Sequence, residues 1–320
     1  MATVVVTLKP QDLTWERARH LFALRCRSLN LTGGTQGLYA IRLALWMAWI
    51  SETGGPQPSE TRADTIRDYL SAMRAGGWKD DTVDSAYRVL KTFFRWLERE
   101  GLLLTNPMAK VDRPRRERRL VRPFSPDQLR AFLGVIDTRT ALGARNFALC
   151  VLLADTGLRV SEALGLRCQD LDFGQGVGRV LGKGRRERIV PLGQTVTRAL
   201  LAWLKVRGEL PGMELLFCNR FGQPLKKRGV GEIFHRLGSL AGVAGVRCSP
   251  HTLRHTFAVS YLRNGGDVLT LQKILGHATL EMTRRYAELA DTDAIERHRQ
   301  ASPLDRLGPL PNERRRVRLR

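Results

Sequence analysis

A segment rich in proline and arginine divides the 320-residue chain into two parts. Between Asn106 and Phe124 the sequence contains three prolines, six arginines and no apolar residues at helix or strand spacing. Such a composition is typical of a linker, and each flanking part is long enough to bury its own hydrophobic core. We therefore expect two domains. The predicted divisions are a first domain at 1–110, a basic linker at 111–124, a second domain at 125–300 and a basic tail at 301–320.

Helical spacing of apolar residues dominates the first part. Two stripes recur at intervals of three and four, as one face of a helix requires: Leu38, Ile41, Leu45 and Trp49, then Val83, Tyr87, Leu90, Phe94 and Leu97. An acidic start at Asp80 or Asp81 and a stop at Gly101 bound the second stripe. The pattern predicts a bundle of helices whose aromatic residues form a core in preference to a base-stacking surface.

The second part is predicted to be mostly helical with one interruption. Ser125 precedes a proline and an acidic residue, which is a helix start, and the next helix ends at Gly157. Residues 177–180 and 189–192 are short β-type runs separated by a glycine-rich, charged stretch, which predicts a hairpin. Helices resume near Thr195. The predicted fold class is thus mainly α, with an α-rich second domain that carries a small antiparallel β-sheet.

The formal net charge of +22 favours an extended polyanion as partner, because neutralised phosphates release condensed counterions. No apolar run approaches the ~20 residues that a membrane span needs, and the start lacks the pattern of a secretory signal. The five cysteines are widely spaced without a CxxC pair, which argues against a disulfide framework and against a zinc site. We expect a cytoplasmic, nucleoid-associated protein with no membrane partner.

Four separated segments carry side chains suited to phosphate chemistry: TGLRVSEAL at 156–164, GKGRRER at 182–188, HTLRHTF at 251–257 and LGHATLEMTRRYAEL at 275–289. Glu162 follows Arg159 by three residues, so on a helix it is placed to hold that guanidinium. Lys183 falls at the predicted tip of the hairpin. His255 lies one turn beyond His251, and we interpret it as a packing or supporting residue.

In their order and spacing these segments resemble the tyrosine recombinase family, which includes phage integrases and the Xer chromosome-resolution enzymes. The resemblance covers about residues 125–290, and the first part resembles more weakly that family's helical, SAM-like core-binding domain. All six positions of the family signature are filled here, by Arg159, Lys183, His251, Arg254, His277 and Tyr286.

The resemblance implies a site-specific recombinase that cleaves and rejoins DNA through a 3′-phosphotyrosyl intermediate. Tyr286 would be the nucleophile, and Arg159 and Arg254 would each offer a fork of donors to the phosphate oxygens. Lys183 would protonate the leaving 5′ oxygen. The two positions that would hydrogen-bond the phosphate or move protons are His251 and His277. The sequence contains no P-loop and no acidic cluster for Mg²⁺, so we expect neither a cofactor nor a metal.

The implied partners are double-stranded DNA with inverted-repeat core sites and three further copies of the chain, in a homotetramer on DNA. An accessory DNA-bending protein or a partner recombinase is compatible with this assembly. Residues 287–299 are expected to form a link and a short helix that packs on its own domain or docks into a neighbouring subunit. Few residues precede the first helix, which favours a Xer-like or transposon-type enzyme over the larger phage integrases.

Other functions remain open at this stage. A type IB topoisomerase would use much the same residues to relax supercoils as a monomer, and a telomere resolvase would make hairpin ends. A non-catalytic DNA-binding protein is a hypothesis of a different class, which gives no reason for the four segments to occur together. A metal-dependent nuclease is favoured least.

Overall fold

A computed structural model of the chain describes residues 12–115, 121–182, 187–208 and 212–290, together with Ser302 and Leu304. Contacts divide the chain into two compact units, Met1–Arg119 and Leu120–Arg320. Across the described residues the structure is mainly helical with one small antiparallel sheet, so the predicted fold class is confirmed.

Four α-helices are described in the first unit: α1 (Trp15–Ser28), α2 (Gly33–Glu52), α3 (Ala63–Ala75) and α4 (Asp80–Arg99). The predicted signals for α4 are confirmed, because Asp80 and Asp81 lie in its first turn and Gly101 follows its end with φ of 70°. Buried aromatic rings form much of the core. Trp46 lies 5.5 Å from Trp15 and 5.1 Å from Tyr69 between ring centroids.

The predicted buried face of α2 is wrong. Leu38 and Ile41 of the predicted stripe are 38% and 59% exposed. The residues that α2 does bury, again three and four apart, are Leu43, Trp46 and Ile50. Because this helix is apolar on nearly all sides, the spacing criterion fits more than one face. The packing of Trp46 among the rings of α1, α3 and α4 decides which face is buried.

Eight helices of the second unit are described: α5 (Pro126–Gly134), α6 (Ala141–Thr156), α7 (Val160–Gly165), α8 (Gln194–Arg207), α9 (Lys227–Leu240), α10 (Pro250–Arg263), α11 (Val268–Leu275) and α12 (Leu280–Ala290). Ser125 begins α5 with a reciprocal capping box, in which its hydroxyl and the Gln128 side chain each accept a backbone N–H. The core surrounds α6, which is buried along most of its length. Among the described residues, no helix combines the length and the apolar character that crossing a bilayer requires.

The sheet contains β1 (Leu171–Asp172), β2 (Val177–Leu181) and β3 (Glu187–Pro191), in that order and all antiparallel. The predicted hairpin is confirmed as β2 and β3, in which Val180 pairs with Arg188. The sequence did not predict β1, since two residues are too few for an alternating pattern. Side chains alternate along β3, so Arg188 and Val190 face inward together.

Candidate active site

A glycine at the end of α6 organises the TGLR segment. Gly157 has φ of 61°, the left-handed conformation that ends many helices. A Cβ at this position would collide with the side chains of Phe257 and Leu275. Backbone conformation and space therefore both require glycine, and the sharp reversal places Arg159 directly before the first turn of α7.

Arg159 is held by Glu162, as the three-residue spacing predicts. The guanidinium Nη1 lies 2.9 Å from Glu162 Oε1, and the backbone N–H of Arg159 donates to Oε2 at 2.9 Å. The carboxylate of Glu162 is only 5% exposed. Burial alone would raise the pKa of Glu162, but hydrogen bonds from Arg188 and Arg159 and the charge of Arg188 hold that pKa below its usual value. Glu162 is thus an anion at neutral pH.

Arg188 is a second partner of Glu162 that the sequence interpretation missed. Its Nη2 lies 2.8 Å from Oε2 and its Nη1 3.2 Å from Oε1, while its Nε donates to the carbonyl of Ile274 at 2.8 Å. The side chain is 13% exposed. The alternation of β3 was the available signal, because Arg188 shares the inward face of Val190.

Arg254 is buried in α10 and bound to the ends of two helices. Its Nη1 donates to the carbonyl of Gly157 at 2.6 Å, and its Nη2 donates to the carbonyl of Leu275 at 2.9 Å. Burial and the charge of Arg159 lower the pKa of Arg254 to about 10. The guanidinium therefore stays charged at neutral pH, although it is only 4% exposed.

The hydrogen bonds of His277 define its tautomer. Its Nε2 lies 2.9 Å from Arg254 Nη2, and its Nδ1 lies 2.8 Å from the hydroxyl of Thr283. Arginine can only donate, so Nε2 accepts and the ring proton resides on Nδ1. Burial and the charge of Arg254 lower the pKa of His277 to about 4. The imidazole is consequently neutral near pH 7 and orients the guanidinium of Arg254.

Tyr286 lies in α12 with its side chain 6% exposed. Its ring is stacked on His277 with centroids 6.1 Å apart and an interplanar angle of 12°, and it contacts the ring of His255 at 5.2 Å. Burial raises the pKa of Tyr286, while the charge of Arg254, a hydrogen bond from it and the charge of Arg159 act in the opposite direction. The same two guanidinium groups would favour a phenolate as it forms.

His251 and His255 form a pair at the start of α10. Their Nε2 atoms are 2.9 Å apart, so one ring donates and the other accepts. Burial and the charge of His251 lower the pKa of His255 to about 4, and burial and Arg254 lower that of His251. The contacts of His255 with both His251 and Tyr286 agree with its interpretation as a supporting residue.

The structure gathers five of the six signature residues, which are Arg159, His251, Arg254, His277 and Tyr286. Lys183 lies outside the described residues, and so do the last five residues before Val121 and the segment 291–299. The link predicted directly after Tyr286 is wrong, because residues 287–290 continue α12, where Ala287 and Leu289 pack against the core of their own unit. The arrangement places two guanidinium groups and neutral imidazoles around one buried phenol. Such a set can bind a phosphodiester and direct a hydroxyl at its phosphorus.

Known proteins resemble this chain in sequence. A family model described as the phage integrase family matches residues 122–293, which contain every site residue described above. The tyrosine recombinase XerD of Pseudomonas putida is 33% identical over 284 residues, 86% of this chain and 93% of that protein. The tyrosine recombinase XerC of Pelobacter propionicus is 32% identical over 290 residues, 89% of this chain and 94% of that protein.

Solved structures share the fold. The crystal structure of XerH site-specific recombinase, bound to palindromic difH substrate in a post-cleavage complex, matches with a TM-score of 0.72 and 22% identity. That match covers 92% of this chain and 86% of the XerH chain. A lambda integrase dimer bound to a COC' core site matches with a TM-score of 0.70 and 18% identity, covering 84% of this chain and 97% of that one.

Proposed function

Because this chain belongs to the phage integrase family of tyrosine recombinases, we propose that it recombines specific sites in double-stranded DNA through a 3′-phosphotyrosyl intermediate. One observation carries the chemistry: the buried Tyr286 ring lies beside a neutral imidazole and under the charge of two guanidinium groups. Such donors favour both a phenolate and the charge that develops on a phosphate under attack.

The proposed reaction has two halves. Tyr286 gives its phenol proton to His251 as its oxygen bonds to phosphorus; the bond to the 5′ oxygen breaks, and that oxygen takes a proton from Lys183. Arg159 and Arg254 bind the non-bridging oxygens. In the second half, a 5′-hydroxyl of another strand gives its proton to Lys183 and attacks the phosphotyrosine, and the released Tyr286 oxygen recovers its proton from His251. One phosphodiester is exchanged for another, so no external source of energy is needed.

The role of Lys183 predicts a selective rescue. If Lys183 protonates the 5′ oxygen, Lys183→Ala should cleave ordinary DNA at least about 10²-fold more slowly, as loss of a general acid does. A 5′-phosphorothiolate substrate has a sulfur leaving group that needs no proton, so on it the variant should approach the wild-type rate. Single-turnover cleavage of both substrates measures this. Lys205→Ala, on the exposed surface of α8, is the control, and an equal defect of Lys183→Ala on both substrates contradicts the general-acid role.

We further propose that the active form is a homotetramer on two DNA sites with inverted-repeat cores, in which the segment 291–299, beyond α12, docks into a neighbouring subunit. The net charge of +22 supports a DNA partner. Lysine and arginine side chains of both units would bind the phosphates of its backbone. An accessory DNA-bending protein or a partner recombinase fits the same assembly. The relatives named above are recombinases, and the matched XerH and lambda integrase structures contain DNA.

A trapped adduct tests the proposed function. A nicked suicide substrate loses the short strand that would reverse cleavage, so a covalent protein–DNA complex should accumulate in the presence of EDTA. Digestion and mass spectrometry should then find the DNA on the peptide that contains Tyr286. DNA binding without an adduct would favour the non-catalytic hypothesis, and an adduct that EDTA prevents would favour a metal-dependent enzyme. Joining of strands between two duplexes, compared with relaxation of a supercoiled circle, separates a recombinase from a topoisomerase.

A further inference from the structure

Two guanidinium groups share one buried carboxylate at the edge of the candidate site. Glu162 Oε1 accepts from Nη1 of Arg159 at 2.9 Å and from Nη1 of Arg188 at 3.2 Å, and its Oε2 accepts from Nη2 of Arg188 at 2.8 Å. The two arginines differ in exposure. The Arg159 side chain is 37% exposed, whereas that of Arg188 is 13% exposed.

We propose that Arg188 is a positioning residue, which neutralises Glu162 so that the guanidinium of Arg159 remains available to the DNA phosphate. This inference rests on the proposed function. An anion as buried as Glu162 requires a cation close by. Arg188 meets that requirement with a bidentate pair, the strongest geometry open to an arginine and a carboxylate. Without Arg188, the Glu162 carboxylate would pair with Arg159 alone and would hold the Arg159 guanidinium away from the phosphate.

Arg188 also joins the hairpin to the segment that carries His277. Its Nε donates to the carbonyl of Ile274, and Gly276 lies against its guanidinium, where a Cβ would come within 3.1 Å of three of its atoms. In β3, Arg188 pairs with Val180 of the strand that leads to Lys183. One side chain therefore contacts or flanks the Arg159, Lys183 and His277 segments, which are far apart in sequence. The function proposed for Arg188 is to neutralise the charge of Glu162.

If Arg188 acts by neutralising Glu162, removing both charged groups should restore activity that is lost when Arg188 alone is removed. Arg188→Gln should leave Glu162 with Arg159 alone and slow single-turnover cleavage by about 100-fold, the size of effect seen when one donor to a reacting group is lost. Removing the carboxylate as well, in the double variant Arg188→Gln, Glu162→Gln, should raise the rate again by at least about tenfold, because coupled residues are not additive. The double variant leaves no unpaired buried charge, so it also tests the idea if the single variant does not fold.

Arg207→Gln is the matched control. Arg207 lies in the same unit and donates to the carbonyls of Met213 and Leu215, without a described contact to the candidate site. The affinity of each variant for intact DNA and its melting temperature are measured together with the rate, at a temperature well below every melting transition. We expect Arg207→Gln to cleave like the wild type, and the dissociation constants of all variants to lie within about threefold of one another, since the change removes no exposed phosphate contact.

Three results would overturn the inference. The first is Arg188→Gln cleaving within about threefold of the wild type, below the effect expected for a coupled residue. The second is a double variant no faster than Arg188→Gln, which would make Arg188 a structural support of the hairpin. The third, where the single variant does not fold, is a folded double variant that cleaves more than about 100-fold below wild type. Failure of the proposed function looks different, because then the wild type itself forms no adduct.

Discussion

Replacing Tyr286 by phenylalanine should abolish the covalent attachment of the protein to DNA. The nucleophilic oxygen is lost, whereas the ring that stacks on His277 and contacts His255 keeps its shape. Because the side chain is almost fully buried, the change exposes no new surface to DNA. We therefore expect affinity for an intact site to stay within about twofold of wild type, as sequence-independent phosphate contacts are unaffected. Adduct yield on the nicked substrate, and binding to the unnicked duplex, measure the two quantities.

Tyr261 provides the control for this substitution. It lies in α10 of the same unit, where its ring is 5.7 Å from that of Phe257, and no described contact joins it to the site. Tyr261→Phe should give the wild-type yield of adduct. An undiminished yield from Tyr286→Phe would show that a different side chain attacks the DNA.

Arg254→Lys should reduce cleavage by at least about 10²-fold, in line with the loss of a preorganised donor to a developing charge. Lysine retains the charge but has no planar fork of donors. A single ammonium group cannot hydrogen-bond the carbonyls of Gly157 and Leu275 and the imidazole of His277 while it also donates to the phosphate. Affinity for uncut DNA should change little, because Arg254 is only 4% exposed. Single-turnover rates and binding curves, with melting temperatures for both proteins, measure the effect.

Arg113→Lys tests whether replacing any arginine that makes a bidentate contact would slow cleavage as Arg254→Lys does. Arg113 binds the buried carboxylate of Asp84 through Nε at 2.6 Å and Nη2 at 3.2 Å, within the first unit. Its replacement should leave the rate of cleavage near that of the wild type. If Arg254→Lys cleaves as fast as Arg113→Lys, then Arg254 is a structural arginine and the proposed phosphate site is misplaced.

Local signals in the sequence predicted much of this structure. The ends of α4 follow from Asp80 and Gly101, and those of α5 and α6 follow from Ser125 and Gly157, because capping chemistry acts over a few residues. The same short range accounts for the contact between Arg159 and Glu162, which lie one helical turn apart.

What the sequence did not predict depends on distant partners. The buried face of α2 is chosen by rings on three other helices. The two residues of β1 form a strand only because β2 lies beside them. The role of Arg188 depends on its hydrogen bonds with Glu162, 26 residues away, and with Ile274, 86 residues away. The positions of the six signature residues came from family resemblance, since no local pattern brings their segments together.

Arg254 and Arg159 differ in which substitutions elsewhere in the chain would disturb them. Arg254 is anchored by the carbonyls of Gly157 and Leu275, and main-chain groups are present whichever amino acid is encoded. Arg159 relies on a side chain, that of Glu162, which a single base change can remove. In a library of random variants, inactivating changes that act through Arg254 should fall at its own codon, at that of His277, and at that of Gly157, whose conformation only glycine adopts readily. Changes that act through Arg159 should include the codon of Glu162, whose side chain makes the contact.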